Sequence, residues 1–397
     1  MRLLRNPHVL DHPETDGASA PAHPGGLRHP TDLHRLIDGY RPTPLVDLPA
    51  LAERLGVGRV LAKYEAERFG LPAFKILGAS WATYLALAER YRAQFGEAPP
   101  TATFDELRAA LARLGALTLT TATDGNHGRG VARMAAWLGF DADIYMPAGT
   151  VDARVEAIES EGATVTVIDG DYDEAVATAA ATADDDADRV VISDTSWPGY
   201  VDVPTWIAEG YATIFGEIDD QLAAADLGPL DAYVVPVGVG AFAKAALDHW
   251  PAGPPDGPLR IAVEPLAADC LYRSIAAGEP TVAPGPHDSI MAGMNCGTVS
   301  MIAWPVMRDR VDWCVAIEDD YAAEAMRALA AEGLVVGETG AAALGALLAL
   351  LAEAPDGLAA VGLDASSTVL CLCTEGATDP VNYERIVGSA PDAIAAR

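Results

Sequence analysis

Lysine is nearly missing from this chain: Lys63, Lys75 and Lys244 are the only three in 397 residues. Positive charge of any kind is scarce, with 26 Lys and Arg against 57 Asp and Glu, a formal net charge of −31. Such a surface repels phosphate backbones and anionic lipid headgroups, which excludes nucleic acid and anionic membranes as partners. An acidic excess of this size also fits a salt-rich host or a GC-rich genome. Half the residues are hydrophobic, yet no apolar run reaches the length that crosses a bilayer. The opening MRLLRNPHVLDHPETDG has no long apolar stretch followed by a cleavage site, so the expectation is a soluble, cytoplasmic protein. The five cysteines, Cys270, Cys296, Cys314, Cys371 and Cys373, show no CxxC spacing. Buried, reduced thiols are expected, and no metal site.

The length is enough for large cores and two domains. Short β-rich runs at 60–66, 117–123, 141–147, 164–169, 189–194, 232–238, 260–265 and 368–374 alternate with Ala-rich helical stretches. The helices are expected at 76–95, 104–114, 127–138, 151–161, 172–184, 203–224, 240–249, 320–332 and 340–353. That alternation predicts an α/β fold of crossover units with largely parallel sheets buried on both faces. The DDDADR run at 184–189 reads as a solvated helix end, and 11–30, rich in Pro, His and Gly, as an irregular arm.

Lys75 sits in PAFKILGAS, between an aromatic and small residues. An amine in an apolar setting loses its charge readily and becomes nucleophilic, as Schiff-base formation with a carbonyl requires. Taken alone, a lysine is more simply a solvated surface charge. PVGVGAFAKAAL puts a glycine turn between a strand and a helix, where backbone N–H groups and the helix N-terminus bind phosphate. It matches neither GxGxxG nor the P-loop, and a purely structural turn has the same form. TATDGNHGRG ends one strand and begins the next helix. Gly125 permits a tight turn, and Asn126 offers donor and acceptor at the corner. His127 reads equally as a cap or core contact, and no HExxH accompanies it. Lys63 is most simply a strand residue paired with Glu65 or Glu67. Glu338, in GETGA, lines a site or caps a helix.

Together these segments resemble the β-family, or fold type II, of pyridoxal phosphate enzymes, over roughly residues 40 to 385. AFKILGAS is similar to the family's lysine motif, TDGNHG takes the place of its SAGNH loop, and PVGVGAF aligns with its phosphate loop. CTEGATDP resembles the segment facing the pyridine nitrogen. Within that family, ERFGLPAFKILGAS, TATDGNHGRGVA, ISDTSWPGY, SIMAGMNCG, GETGAAALG and TEGATDP resemble the ammonia-lyase branch that acts on 2,3-diaminopropionate. The resemblance implies two domains, each with a largely parallel twisted sheet covered by helices, and an active site in the cleft between them. Residues 1–80 with 196–397 would form the large domain and 81–195 the small inserted one, carrying the loop at Asp124, Gly125, Asn126 and His127.

The resemblance further implies pyridoxal 5′-phosphate on Lys75, with Asn126 at its ring hydroxyl and Gly238, Val239, Gly240, Ala241 and Phe242 at its phosphate. Val239 and Ala241 replace glycines of the commoner loop. Either Cys373 or Thr374 faces the pyridine nitrogen, the thiol being the weaker hydrogen-bonding group. Thr123, Asp124, Gly125, His127 and Asp194 would contact substrate. Asp124 stands where the wider family has a small residue, and a carboxylate there suits a substrate with a second ammonium. Asp194 reads equally as a substrate contact or a turn cap. The implied reaction is α,β-elimination by a carbon–nitrogen lyase, giving pyruvate and two ammonia, with Lys75 serving the L isomer and Asp124 the D isomer. A homodimer is implied as well. A serine or threonine dehydratase on the same fold is the nearer alternative, and a catalytically silent cofactor-binding protein the more distant one.

Overall fold

The computed structural model describes residues 1–10, 23–184 and 186–395. Among these the strands are β1 (Arg2–Arg5), β2 (Leu45–Asp47), β3 (Arg59–Tyr64), β4 (Thr118–Ala122), β5 (Asp141–Met146) and β6 (Thr164–Val167). They continue with β7 (Arg189–Val191), β8 (Ala232–Pro236), β9 (Leu259–Pro265), β10 (Trp313–Ile317) and β11 (Thr368–Cys373). Seven make one sheet in the order β1-β10-β9-β8-β11-β3-β2, parallel except at its two antiparallel edge strands. The other four make a wholly parallel sheet, β6-β5-β4-β7. This is the α/β architecture expected. Its inner strands carry unbroken apolar runs, as in the fully buried AYVVP of β8, because helices cover both faces.

The chain falls into two compact units. One holds β1, Pro42–Ala73 and everything from Ile214, and the other holds Phe74–Thr213 with the helix Pro30–Leu36. The crossing points lie outside the 80/81 and 195/196 of the sequence reading because helices Ile76–Phe95 and Asp202–Gly210 pack together. A Cβ at Gly210 would meet the Leu77 carbonyl oxygen at 2.6 Å, so only glycine allows that approach. The helix expected over 203–224 is two helices, Asp202–Gly210 and Ala212–Ala224, separated at Tyr211, whose ring packs on Phe74.

In the unit with the larger sheet, helix Glu338–Glu353 is buried continuously from Glu338 to Leu350. A helix that is apolar all round belongs inside a core. It packs on helix Asp319–Ala331 and shares one apolar core with Val60, Val263, Cys371 and Cys373. The two cysteines lie two residues apart on β11 and so share the face turned to this core. Asp186 and Asp188 of the acidic run are exposed, Asp185 lies outside the described residues, and so do 11–22 of the expected arm. No described helix is long and apolar enough to cross a membrane.

One feature of this unit departs from the sequence reading. Lys63 does not pair with Glu65 or Glu67; its Nζ donates to Glu217 and to the Thr43 carbonyl, each at 2.8 Å. Arg68 binds Glu65 and Glu217 with both ends of its guanidinium, at 2.7 to 2.9 Å. All four charged residues are at most 4% exposed. Burial pulls the Lys63 ammonium below its ordinary value against Glu65 and Glu217, while those carboxylates more than offset burial for Arg68 and hold it charged. Removing one partner from such a network leaves a buried charge uncompensated. Arg68→Met is expected to cost about 3 kcal/mol of stability, read from the urea midpoint at unchanged m-value. A loss under about 1 kcal/mol would mean that the carboxylates find water or a proton instead.

Candidate active site

Lys75 stands immediately before helix Ile76–Phe95, in the smaller-sheet unit. Its Nζ donates to Asp194 Oδ2 at 2.8 Å. Asp194 follows β7 and also accepts from the Tyr172 hydroxyl at 3.3 Å. The Phe74 ring lies 5.8 Å from Nζ and meets Tyr211 edge-on at 4.7 Å, so an aromatic wall flanks the ion pair. Burial works against charge on both partners, but the Asp194 carboxylate holds the Lys75 ammonium above its ordinary value. Burial opposes the Asp194 charge, but the Lys75 ammonium, helped by the Tyr172 hydroxyl, holds that carboxylate well below its usual range. This corrects the expectation that an apolar setting alone governs the amine: the wall is apolar, but a carboxylate sits at its end. It also pairs Asp194 with Lys75.

The turn after β4 is built by Thr123. Its hydroxyl oxygen accepts from the Gly125 amide at 2.9 Å and the Gly128 amide at 3.0 Å. A Cβ on Gly128 would meet Thr123 Cγ2 at 2.3 Å, and Gly125 has φ +152°, so both positions need glycine. Asn126 then opens helix Asn126–Leu138. His127 is buried, with Nε2 2.7 Å from the Ile192 carbonyl. Nε2 therefore carries the hydrogen, and Nδ1, which has no partner among the described residues, presents a lone pair. Burial pulls His127 below its ordinary value and keeps it neutral. Asp124 is half-buried and within electrostatic reach of both Lys75 and His127. Lys75, Asp124, His127 and Asp194 thus form one cluster. Among the described residues no group of three or more His, Cys, Asp or Glu is placed to hold a metal.

In the other unit, β8 leads through Gly238, Val239 and Gly240 into helix Ala241–His249. A Cβ at Gly238 would meet the Gly293 carbonyl oxygen at 2.9 Å. Gly240, with φ +101°, turns the chain into the helix, whose first amides have no acceptor within it. The Val239 carbonyl is held by the Ser300 amide at 2.8 Å, and Phe242 stacks on Phe215. Cys373 is fully buried in the core, while the next residue, Thr374, is buried with a hydroxyl that has no partner among the described residues. Glu338 is buried at a helix start and accepts from Asn382.

The family model described as pyridoxal-phosphate dependent enzyme matches residues 36–374. The chain belongs to the pyridoxal-phosphate dependent enzymes. Diaminopropionate ammonia-lyase of Escherichia coli strain K12 is 37% identical over 371 residues, 91% of each chain. The crystal structure of the Escherichia coli lyase in complex with D-serine superposes at TM-score 0.86 with 34% identity, covering 97% of this chain and 96% of that one. That lyase in complex with an aminoacrylate-PLP azomethine reaction intermediate gives TM-score 0.82 at 33% identity, with the same coverage. The fold is type II of these enzymes, two α/β units with mostly parallel sheets.

The residues present fit the cofactor of a pyridoxal-phosphate dependent enzyme. One unit offers a half-buried amine, and the other a glycine turn that side chains would close and a buried threonine hydroxyl without a partner among the described residues; these are group types that its carbonyl, phosphate and ring nitrogen call for. Tyr172 and Arg154, which shape the cluster around Lys75 and the Asp124 turn, escaped the sequence reading. Neither lies in a recognisable motif, and no local signal marks them.

Proposed function

We propose that this chain eliminates ammonia from 2,3-diaminopropionate, with pyridoxal 5′-phosphate as cofactor. The observation that carries the reading is the pair of carboxylates, Asp124 and Asp194, gathered around one amine. Two carboxylates beside a single lysine suit a substrate with two ammonium groups, and the 37% identity to the Escherichia coli diaminopropionate ammonia-lyase supports the same substrate.

Lys75 would hold the cofactor covalently, Asn126 would reach its ring hydroxyl, and the amides of Gly238, Val239, Gly240, Ala241 and Phe242 would take its phosphate. Of the two candidates for the ring nitrogen, Thr374 is the better, because its hydroxyl is uncommitted while Cys373 sits in the apolar core. The cofactor's contribution is to take up the electron pair released at Cα. Committing the Lys75 nitrogen to a covalent bond leaves the Asp194 carboxylate available to the second ammonium of the substrate. As a free amine Lys75 would take the Cα proton of the L isomer, and the Asp124 carboxylate would take that of the D isomer. The Cβ–N bond breaks, ammonia leaves, and the released aminoacrylate hydrolyses to pyruvate and a second ammonia. Thr123, Gly125 and His127 shape the carboxylate end of the substrate site, where the first amides of helix Asn126–Leu138 favour an anion. The working form is a cytoplasmic homodimer.

Pyruvate formation is measured with D- and L-diaminopropionate, serine and threonine. Turnover of diaminopropionate is expected to exceed that of both hydroxy amino acids by at least about tenfold in kcat/KM, the scale of one well-placed charge contact. Faster serine or threonine turnover would make the chain a dehydratase. A bound cofactor without ammonia release from any of the four would make it a binding protein.

A further inference from the structure

The peptide plane between Asp124 and Gly125 is gripped at both ends. Its N–H donates to the Thr123 hydroxyl oxygen at 2.9 Å, and its carbonyl oxygen accepts from Arg154 Nη1 at 3.2 Å. The Arg154 stem lies along the bare side of Gly125, with Cδ 3.1 Å from where a Cβ would stand. Gly125 has φ +152° and ψ −76°, a conformation without the local minimum of an ordinary residue, so an outside tether has something to hold. Arg154 belongs to helix Asp152–Glu159, and that helix is itself fixed. Just past its end Glu161 takes both Arg129 and Arg133 of helix Asn126–Leu138, each with a bond of 2.9 Å. The arm carrying Arg154 is thus anchored to the helix whose first turn it clamps.

We propose that Arg154 is a positioning residue that sets the direction of the Asp124 carboxylate and so the preference for a β-ammonium over a β-hydroxyl substrate. The proposal rests on the function proposed above. Rotation about the Asp124 backbone is fixed by the peptide that follows it, and Arg154 and Thr123 together fix that peptide. Without Arg154 the plane keeps one tether and the carboxylate samples several directions. A carboxylate that wanders costs most for a substrate that must pair with it and nothing for serine, whose hydroxyl makes no ion pair.

The test is Arg154→Ala beside Arg154→Lys. In the alanine variant KM for both diaminopropionate isomers is expected to rise about tenfold, the loss of one charge-assisted hydrogen bond, while KM for serine stays within about twofold. The lysine variant, which keeps the cation and most of the stem, is expected to fall between the two. Independently of activity, the Gly125 amide of the cofactor-free protein should exchange hydrogen faster in the alanine variant, with the visible absorbance of the loaded protein unchanged. An equal loss for serine and diaminopropionate, or unchanged exchange at Gly125, overturns the proposal. If the wild-type protein does not release ammonia from diaminopropionate, the function fails by itself, and the exchange measurement still decides whether Arg154 clamps the turn.

Discussion

Lys75→Ala lowers pyruvate formation from L-diaminopropionate by roughly 10⁴-fold, the upper range for loss of a positioned general base, with the covalent attachment of the cofactor lost in addition. Cofactor held only by the amides after Gly238 and by Asn126 dialyses away faster, and its visible absorbance moves to that of an unattached carbonyl. The variant also exposes what Lys75 does in the cofactor-free protein. Its ammonium holds Asp194 below the usual carboxylate range, so the pair contributes stability above the ordinary carboxylate value. That contribution fades as the pH falls toward the folded value of Asp194. The ammonium itself is held above the ordinary lysine value, so its share is present below that value and is lost as pH rises through the folded one. Lys75→Ala leaves a buried carboxylate with burial opposed only by the Tyr172 hydroxyl, and without the ammonium that offset burial. The cofactor-free variant is expected to gain stability on acidification into the range where Asp194 protonates, where the wild-type protein does not. Thermal unfolding across pH 4 to 8, roughly the span over which a buried carboxylate titrates, reads this directly. Residual activity within about tenfold of wild type would remove Lys75 from the chemistry.

What the sequence made legible follows from how far each signal reaches along the chain. Strands β3, β8 and β11 and helices Ile76–Phe95 and Glu338–Glu353 stand out because their apolar runs are long and unbroken. Strands β1 and β2, the antiparallel edges of the larger sheet, did not. Strand β10, WCVAI, was missed as well. The helices Pro49–Leu55, Cys270–Ala277, Trp304–Arg310 and Pro380–Val387 are too short for periodicity and are held by tertiary packing. The same limit applies to chemistry. Lys75, Asp124 and Asn126 are visible in local motifs, but the pairing of Lys75 with Asp194 spans 119 positions. The switch of Lys63 to Glu217 spans 154, and no local spacing encodes either. The proposed choice of Thr374 over Cys373 is likewise a tertiary matter: Cys373 ends β11 inside the core, and only the position of that core shows it.

Asp124→Asn separates the two bases. The substitution keeps size and hydrogen-bonding reach but removes the negative charge and the capacity to accept a proton. Asp124 sits on the turn after β4, half-buried, close enough to Lys75 to raise its proton affinity, and its peptide is fixed by Thr123 and Arg154. If Lys75 removes the Cα proton of one enantiomer, the enantiomer bound with its Cα proton on the opposite face needs a second acceptor, and Asp124 is the carboxylate available for it. Turnover of D-diaminopropionate is therefore expected to fall by at least about 10³-fold in kcat, within the range for a positioned acid–base group. The L isomer keeps its base and loses only the ion pair to its second ammonium, expected as about a tenfold rise in KM at nearly constant kcat. Lys75, Asn126 and the amides after Gly238, which are proposed to hold the cofactor, are untouched, so the visible spectrum of the loaded variant should not change. Equal losses of kcat for the two isomers would reduce Asp124 to a substrate contact and return all proton transfer to Lys75. A loss confined to the D isomer makes the placing of Asp124 the feature through which one turn admits both enantiomers to the same elimination.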